Sequence, residues 1–453
     1  MSARVKAAER RGMGRAAVTA IGLVMAFVAV VALGARARGA LPRGVHTPGW
    51  ASVSVGSSLA SRGDIYAVVF DAGSTASRAH CFRFEPAGAQ PELIRDSFAH
   101  TSPGLSSFAN SPSSAARSLQ PLLSSVGRCV PKAKKASTPL NVKATAGLRA
   151  LPANQADAIV DAVSQRVQKS GFFKPSVEII DGSDEGSFQW VAVNYLLGRL
   201  RSGVDAGTTG VVDLGGESVQ VAFELPESAP KPDEDIMNKY VRRLAGKRVY
   251  VSSWPALGMN AVRARIAQGA SSLGSSACFK SGDEGSFSRH GQQVQYKGTQ
   301  ETASASHCER ETYELLQMDT TCETSGESQC SFGGHWSGNA PSVLQWHLSS
   351  FFFDAALEAG IISAEARKDG SAQAEISSLR QAAEVECSGK RSAPGVSQTL
   401  CVDLSYAHAL LTEGLSLPES LTVTFLKEVS YRGQLIEAAW PLGSAVSRLL
   451  SER

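Results

Sequence analysis

Two short segments, Asp71-Ala72-Gly73-Ser74-Thr75 and Asp213-Leu214-Gly215-Gly216-Glu217-Ser218, lie about 140 residues apart, each at the end of an apolar run. The runs are Ile65–Phe70 and Thr209–Val212. A buried strand delivers its terminal aspartate to a fixed point, and the glycines that follow leave the backbone bare. Backbone N–H groups of such a turn, joined by Ser or Thr hydroxyls, wrap phosphate oxygens, while the carboxylate faces a phosphate-bound divalent cation. One such turn alone is an ordinary hairpin. Two of them predict a duplicated fold that grips a polyphosphate between its halves.

The first turn offers Gly73, Ser74, Thr75, Ser77 and Arg78 as phosphate contacts, and the second offers Gly215, Gly216 and Ser218. Between them, Ala144–Arg149 follows a short strand (Leu140–Lys143). Thr145 can bring a hydroxyl and Arg149 a positive charge to the site, or the pair can be a helix cap and a surface arginine. Asp184-Glu185-Gly186 reads as lying just before a helix, Ser187–Gly198, where a carboxylate caps N–H groups and meets the helix dipole. The functional alternative is a base for an attacking water, and Glu185 is preferred because Gly186 leaves room for a ligand. Hydrolysis of a phosphoanhydride needs such a base, a cation to neutralise charge, and donors around the transferred group. Gln220 shares a strand face with Ser218 by the period of two, and can hold a cation-bound water or be a core polar group.

Those groups need two lobes to position them, and 453 residues exceed what one core usually serves. Hydrophobic content of 43% and charged content of 19% are ordinary for a folded protein, and a net charge of +3 argues against a nucleic-acid partner. Residues 16–35 form an uncharged apolar stretch long enough to span a bilayer, after a basic tail at 1–15. An uncleaved anchor is preferred to a cleaved signal peptide, although Ala35 and Ala37 resemble a cleavage site. Residues 36–62 read as a stalk, 63–205 as lobe I, 206–430 as lobe II, and 431–453 as a segment returning to lobe I.

Strands are expected at Ile65–Phe70, Ala79–Phe84, Val177–Ile180, Val211–Leu214 and Val219–Phe223, and helices at Ala115–Val126, Asn154–Ser170, Leu404–Glu413 and Trp440–Ser451. Residues 268–335 read as an irregular, disulfide-pinned insertion. Six of the eight cysteines crowd the C-terminal half, which predicts disulfides in an oxidising compartment. The sequential pairing Cys278–Cys308, Cys322–Cys330 and Cys387–Cys401 is the expectation, although spacing does not dictate connectivity. Cys81, on a strand, reads as a small buried hydrophobe. Zinc-type C-x-x-C spacing is absent from the sequence.

In order and spacing these motifs resemble the apyrase family of nucleoside triphosphate diphosphohydrolases. Val69–Arg78, Ala144–Arg149, Asp184–Gly198, Asp213–Phe223 and the looser Tyr250–Arg263 carry the resemblance, and Pro103–Phe108 and Trp440–Gly443 extend it from about residue 65 to 450. The resemblance implies an α/β, two-lobed actin-like (ribonuclease H-like) fold with duplicated lobes and a central cleft. It implies Glu185 as base, Ser218 positioning the water, and Ca²⁺ or Mg²⁺ held through water by Asp71 and Asp213, with Thr145, Gln220 and Trp440 nearby. The Ser-Thr-x-Ser-Arg form of the first block is similar to the Golgi GDPase/UDPase and plant apyrase branch. A type II Golgi enzyme hydrolysing GDP or UDP is therefore expected.

Two departures from the family pattern stand out. Glu217 occupies a place usually held by Gly or Ala, where an inward-facing carboxylate would repel phosphate. Trp254-Pro255-Ala256-Leu257-Gly258 implies a loop of altered shape. Competing readings are a phosphatase of inorganic polyphosphate or a signalling nucleotide, which would need no stacking aromatics such as Tyr250, Trp254 or Trp336, and a silent nucleotide-binding protein. A sugar kinase is disfavoured, because no aspartate is evidently placed to deprotonate a sugar hydroxyl.

Overall fold

The computed structural model describes residues 63–451, apart from 88–89, 202–206, 227–231, 270–275, 277, 280–281, 291, 299–302, 325–329 and 390–396. The expected tail (1–15), membrane span (16–35) and stalk (36–62) lie outside the described residues. No helix among those described is long and apolar enough to cross a membrane.

The first sheet contains β1 (Ile65–Ala72), β2 (Ser77–Glu85), β3 (Glu92–Thr101), β4 (Pro139–Ala144) and β5 (Phe173–Ile179), in the order β3-β2-β1-β4-β5. The second contains β6 (Gly210–Leu214), β7 (Ser218–Glu224), β8 (Val241–Leu244), β9 (Lys247–Pro255), β12 (Trp346–Ser350), β13 (Ser371–Glu375) and β14 (Thr422–Leu426), ordered β13-β14-β12-β6-β7-β9-β8. Its inner run β9-β7-β6-β12-β14 repeats the first sheet strand for strand. In each sheet the first strand pairs antiparallel with the second and parallel with the fourth. The duplication anticipated from two Asp-Gly turns is thus a duplication of topology. It makes β6 the counterpart of β1, and Asp213 the counterpart of Asp71.

Between the sheets run a central helix, Gly182–Leu196, and the C-terminal helix, Trp440–Ser451. Trp190, Val191, Val193 and Leu196 of the first join Trp440, Leu442 and Val446 of the second in one apolar cluster, with Val69 of β1 and Val251 of β9. The central helix is buried around nearly its whole circumference, as a helix covered on both sides must be. The helices touch where a Cβ on Gly443 would lie 1.8 Å from the Phe188 carbonyl oxygen, so only glycine permits this crossing.

Several expectations need correction. The central helix begins at Gly182 rather than Ser187, because Asp181 caps it by accepting from the Asp184 N–H at 2.7 Å. The helix expected over 115–126 is two, Pro112–Ser118 and Gln120–Cys129, since Pro121 cannot continue a helix from the preceding turn. The insertion is more regular than its composition implies. It holds the hairpin β10 (Glu284–Arg289) with β11 (Gln292–Lys297), and a helix, Ala305–Leu316. Cys81 is a disulfide partner, not a lone hydrophobe, and ties β2 to the helix Gln120–Cys129 through Cys129. The other three bridges pair sequentially, Cys278–Cys308, Cys322–Cys330 and Cys387–Cys401.

Candidate active site

Asp71 and Asp213 reach the same region from equivalent strands, and each faces a polar residue across its hairpin: Asp71 opposite Arg78, Asp213 opposite Gln220. Arg78 donates to Asp71 at 3.1 Å. Asp213 accepts hydroxyls from Ser349 at 3.1 Å and Ser350 at 2.6 Å. These serines end β12, the counterpart of β4, so they stand beside the position that Thr145 takes in lobe I. Ser350 holds φ +63° with ψ −122°, a backbone conformation unusual for a side-chain-bearing residue, and its hydroxyl lies closer to Asp213 than that of Ser349. The sequence reading missed both serines. Their place at the end of the fourth strand of the repeat was the available signal, but it required knowing the topology.

Glu185 lies in the first turn of the central helix and is buried. Arg149 donates to it at 3.1 Å and to the Ile180 carbonyl at 2.5 Å. Burial pushes the Glu185 carboxyl up to about 8; Arg149 pulls against this, while Asp213 and Asp71 push it further. That mutual influence marks three carboxylates sharing one electrostatic field. Asp71 and Asp213 are themselves raised, chiefly by burial, despite relief from Arg78 and from Ser350. Gly186 does not open a path for a ligand, as the sequence had implied. A Cβ there would meet Val251 at 3.1 Å and Gln220 at 3.2 Å, so this glycine seats the helix on β7 and β9. Gly182 does the same against Ser253.

The two phosphate-type turns face each other. A Cβ on Gly216 would lie 3.0 Å from the Ser74 hydroxyl oxygen. Each turn is propped from behind by glycines outside it: Gly104 and Gly147 pack on the Gly73-Ser74 backbone, and Gly258 packs on the Glu217 and Ser218 nitrogens. The loop 254–258, expected to differ in shape, therefore backs the second turn. Ser74 and Arg78 are half-buried, and Thr75 is exposed at the tip. Ser77 is fully buried, its hydroxyl without a partner among the described contacts. Gly215 is half-buried, and its N–H donates to the Ser218 carbonyl at 3.1 Å.

Gln220 donates to the Ser218 hydroxyl at 2.7 Å on its own strand β7 and to Ser253 at 3.1 Å on the neighbouring β9. Thr145 is buried at the start of the short helix Ala146–Arg149. Trp440 sits in the apolar cluster between the sheets rather than in this polar network. Tyr250, Trp254 and Trp336, considered as base-stacking aromatics, are buried core residues: Tyr250 packs on Trp336, and Trp254 on Phe332. Glu217 does not aim at the phosphate position unopposed. Arg289 grips it with Nε at 3.1 Å and Nη2 at 2.8 Å, and His290 lies 3.2 Å away. Burial would raise its carboxyl, but His290 and Arg289 more than offset this and hold it below the ordinary value.

Among the described residues no three His, Cys, Asp or Glu side chains converge to ligate one metal ion directly. The donor set is all oxygen, and burial raises the Asp71 and Asp213 carboxyls, a cost that a nearby positive charge would relieve. Both features fit a hard divalent cation.

Residues 58–452 match the GDA1/CD39 (nucleoside phosphatase) family. The chain belongs to that family. GDA1/CD39 members hydrolyse nucleotide phosphoanhydrides and use divalent cations. The chain is 38% identical to probable apyrase 2 of Oryza sativa subsp. japonica, over 84% of this chain and 85% of that one. It is 30% identical to the human nucleoside diphosphate phosphatase ENTPD5, over 86% and 89%. The fold is the two-lobed, actin-like one. A nucleoside triphosphate hydrolase structure from Neospora caninum superposes with a TM-score of 0.62 at 15% identity, over 86% of this chain and 93% of that one.

Proposed function

We propose that this GDA1/CD39 protein hydrolyses the terminal phosphate of nucleoside di- or triphosphates, GDP and UDP preferred, by direct in-line attack of water. The observation that carries the reading is the shared field of Glu185, Asp71 and Asp213 beside two facing glycine turns. Glu185, held by Arg149, accepts the proton of the attacking water. Ser218, itself fixed by Gln220, orients that water. N–H groups and hydroxyls of Gly73–Ser77 and Gly215–Ser218, with Arg78 and Arg149, hold the phosphates as the bond from the terminal phosphorus to the bridging oxygen of the leaving nucleotide breaks. Asp71 and Asp213 would hold Ca²⁺ or Mg²⁺ through water, with Thr145 and Gln220 close by, and the cation would neutralise charge on the phosphate oxygens. Trp440 supports the site from the core.

The lobe division at 63–205, 206–430 and 431–453 belongs to the same reading and is supported by the two sheets and the packing of the C-terminal helix on the central one. Four disulfides support an oxidising, secretory-pathway compartment, and a Golgi type II membrane protein is the preferred form. The burial of Tyr250, Trp254 and Trp336 favours one second reading, hydrolysis of inorganic polyphosphate.

Phosphate release from GDP, UDP, ADP, the matching triphosphates and polyphosphate, with Ca²⁺ or Mg²⁺, tests both readings. Glu185→Gln is expected to lower turnover about 10²–10⁴-fold while nucleotide still binds. Undiminished turnover would remove Glu185 from its role, and release from polyphosphate alone would favour the second reading.

A further inference from the structure

Part of the lobe II insertion reaches the cleft. Its hairpin β10–β11 brings Arg289 and His290 onto Glu217, the residue between Gly216 and Ser218 in the second phosphate turn. The Arg289 contact is two-pronged, a geometry that fixes direction as well as charge. His290 then continues the connection into the other lobe. Its Nδ1 lies 3.4 Å from the Ser106 hydroxyl, and Ser106 in turn donates to the Ser74 carbonyl at 3.4 Å, in the first phosphate turn. Both imidazole nitrogens therefore face oxygens, one from each lobe. His290 adopts φ +50° as the residue that follows Arg289 in the two-residue connection to Gln292, so the tight hairpin turn itself presents its ring. Beside this chain of contacts, a Cβ on Gly216 would come within 3.0 Å of the Ser74 hydroxyl oxygen.

We infer that the β10–β11 hairpin is a strap across one flank of the cleft, and that Glu217, Arg289 and His290 are positioning residues that set the spacing between the two phosphate turns. Resting on the proposed phosphohydrolase reading, it gives Glu217 a purpose that repulsion of substrate does not. The carboxylate in the phosphate turn is an anchor for the strap. Long contacts through Ser106 make the bridge weak enough to release when the lobes part for substrate entry or product exit, whereas the Glu217–Arg289 clasp stays within lobe II.

The test uses the full chain with Glu217→Gln, Arg289→Gln and Ser106→Ala, the last cutting the bridge from lobe I without touching the clasp. Nitroxide labels at the exposed positions Lys132 and Gln373, one in each lobe, report the interlobe distance by electron–electron dipolar spectroscopy. In each variant the distance distribution is expected to broaden or lengthen. If the spaced-correctly population falls tenfold, KM for nucleotide rises about tenfold while kcat stays within about twofold, because bound substrate draws the turns together again. Arg289→Lys, which keeps the charge and loses the fork, falls between. Unchanged distances and KM in folded variants overturn the strap. A fall in kcat at unchanged distance overturns it too, assigning these groups to the chemistry. Should the wild-type protein hydrolyse no nucleotide, the proposed function fails while the distance measurement still decides the strap.

Discussion

Arg149→Met isolates the electrostatic control of Glu185. Arg149 is the cation that acts on that carboxyl, and it opposes burial and two neighbouring acids. An opposite charge within hydrogen-bond distance lowers a carboxyl pKa by about 1–3 units, so its loss raises the Glu185 value by that amount. With the carboxyl already near 8 in the absence of a cation, about a tenth is ionised at pH 7. Each further unit removes about tenfold of the working base, equivalent to ~1.4 kcal/mol. A bound cation moves the whole profile to lower pH in both proteins, so the difference between them is the quantity to read. The assay is kcat/KM against pH, from about pH 6 to pH 10, for wild type, Arg149→Met and Arg149→Lys. The acid limb should move up by about 1–3 units in Arg149→Met and by less in Arg149→Lys, on top of a pH-independent drop from the lost phosphate contact. A lowered plateau with an unmoved acid limb would refute the reasoning and leave Arg149 acting on the phosphates alone.

Removing the cation should expose the cost of the buried carboxyl. A group whose pKa is raised on folding binds more protons in the native state, so stability falls as pH rises from the ordinary carboxylate value, about 4.5, through about 8. Melting temperature in chelator should drop across that window, and added Ca²⁺ or Mg²⁺ should restore more at pH 8 than at pH 5; equal restoration at both would deny the carboxylates their role. Gly147→Ala places a Cβ 2.8 Å from the Ser74 Cα, so the first phosphate turn must shift. We expect kcat/KM to fall at least tenfold for a stability loss of about 1–3 kcal/mol, and kinetics like wild type would show the turn to be free of that support. Replacing Cys81 and Cys129 together by alanine opens a loop of 48 residues and should cost about 2–4 kcal/mol in chemical unfolding. A loss well under 1 kcal/mol would mean the bridge carries little of the fold.

By itself the sequence determined what is encoded over a few neighbouring residues. Apolar runs ending in Asp and followed by glycines gave β1–β2 and β6–β7, because alternation and turn chemistry are local. The C-terminal helix ran from Trp440 to Ser451 as expected, and three short-range cysteine pairs closed in order. Tertiary structure decided what depends on segments far apart in the chain. Gly186 reads as room for ligand until β7 and β9 are packed against it. Cys81 reads as core until the helix Gln120–Cys129 delivers Cys129. Ser349 and Ser350 gain meaning only when β12 pairs with β6 and carries their hydroxyls to Asp213, 136 and 137 positions away. Glu217 reads as a liability until the hairpin, 72 positions on, supplies Arg289. In each case the deciding quantity is a distance or a desolvation, and neither exists until the sheets have closed around the central helix.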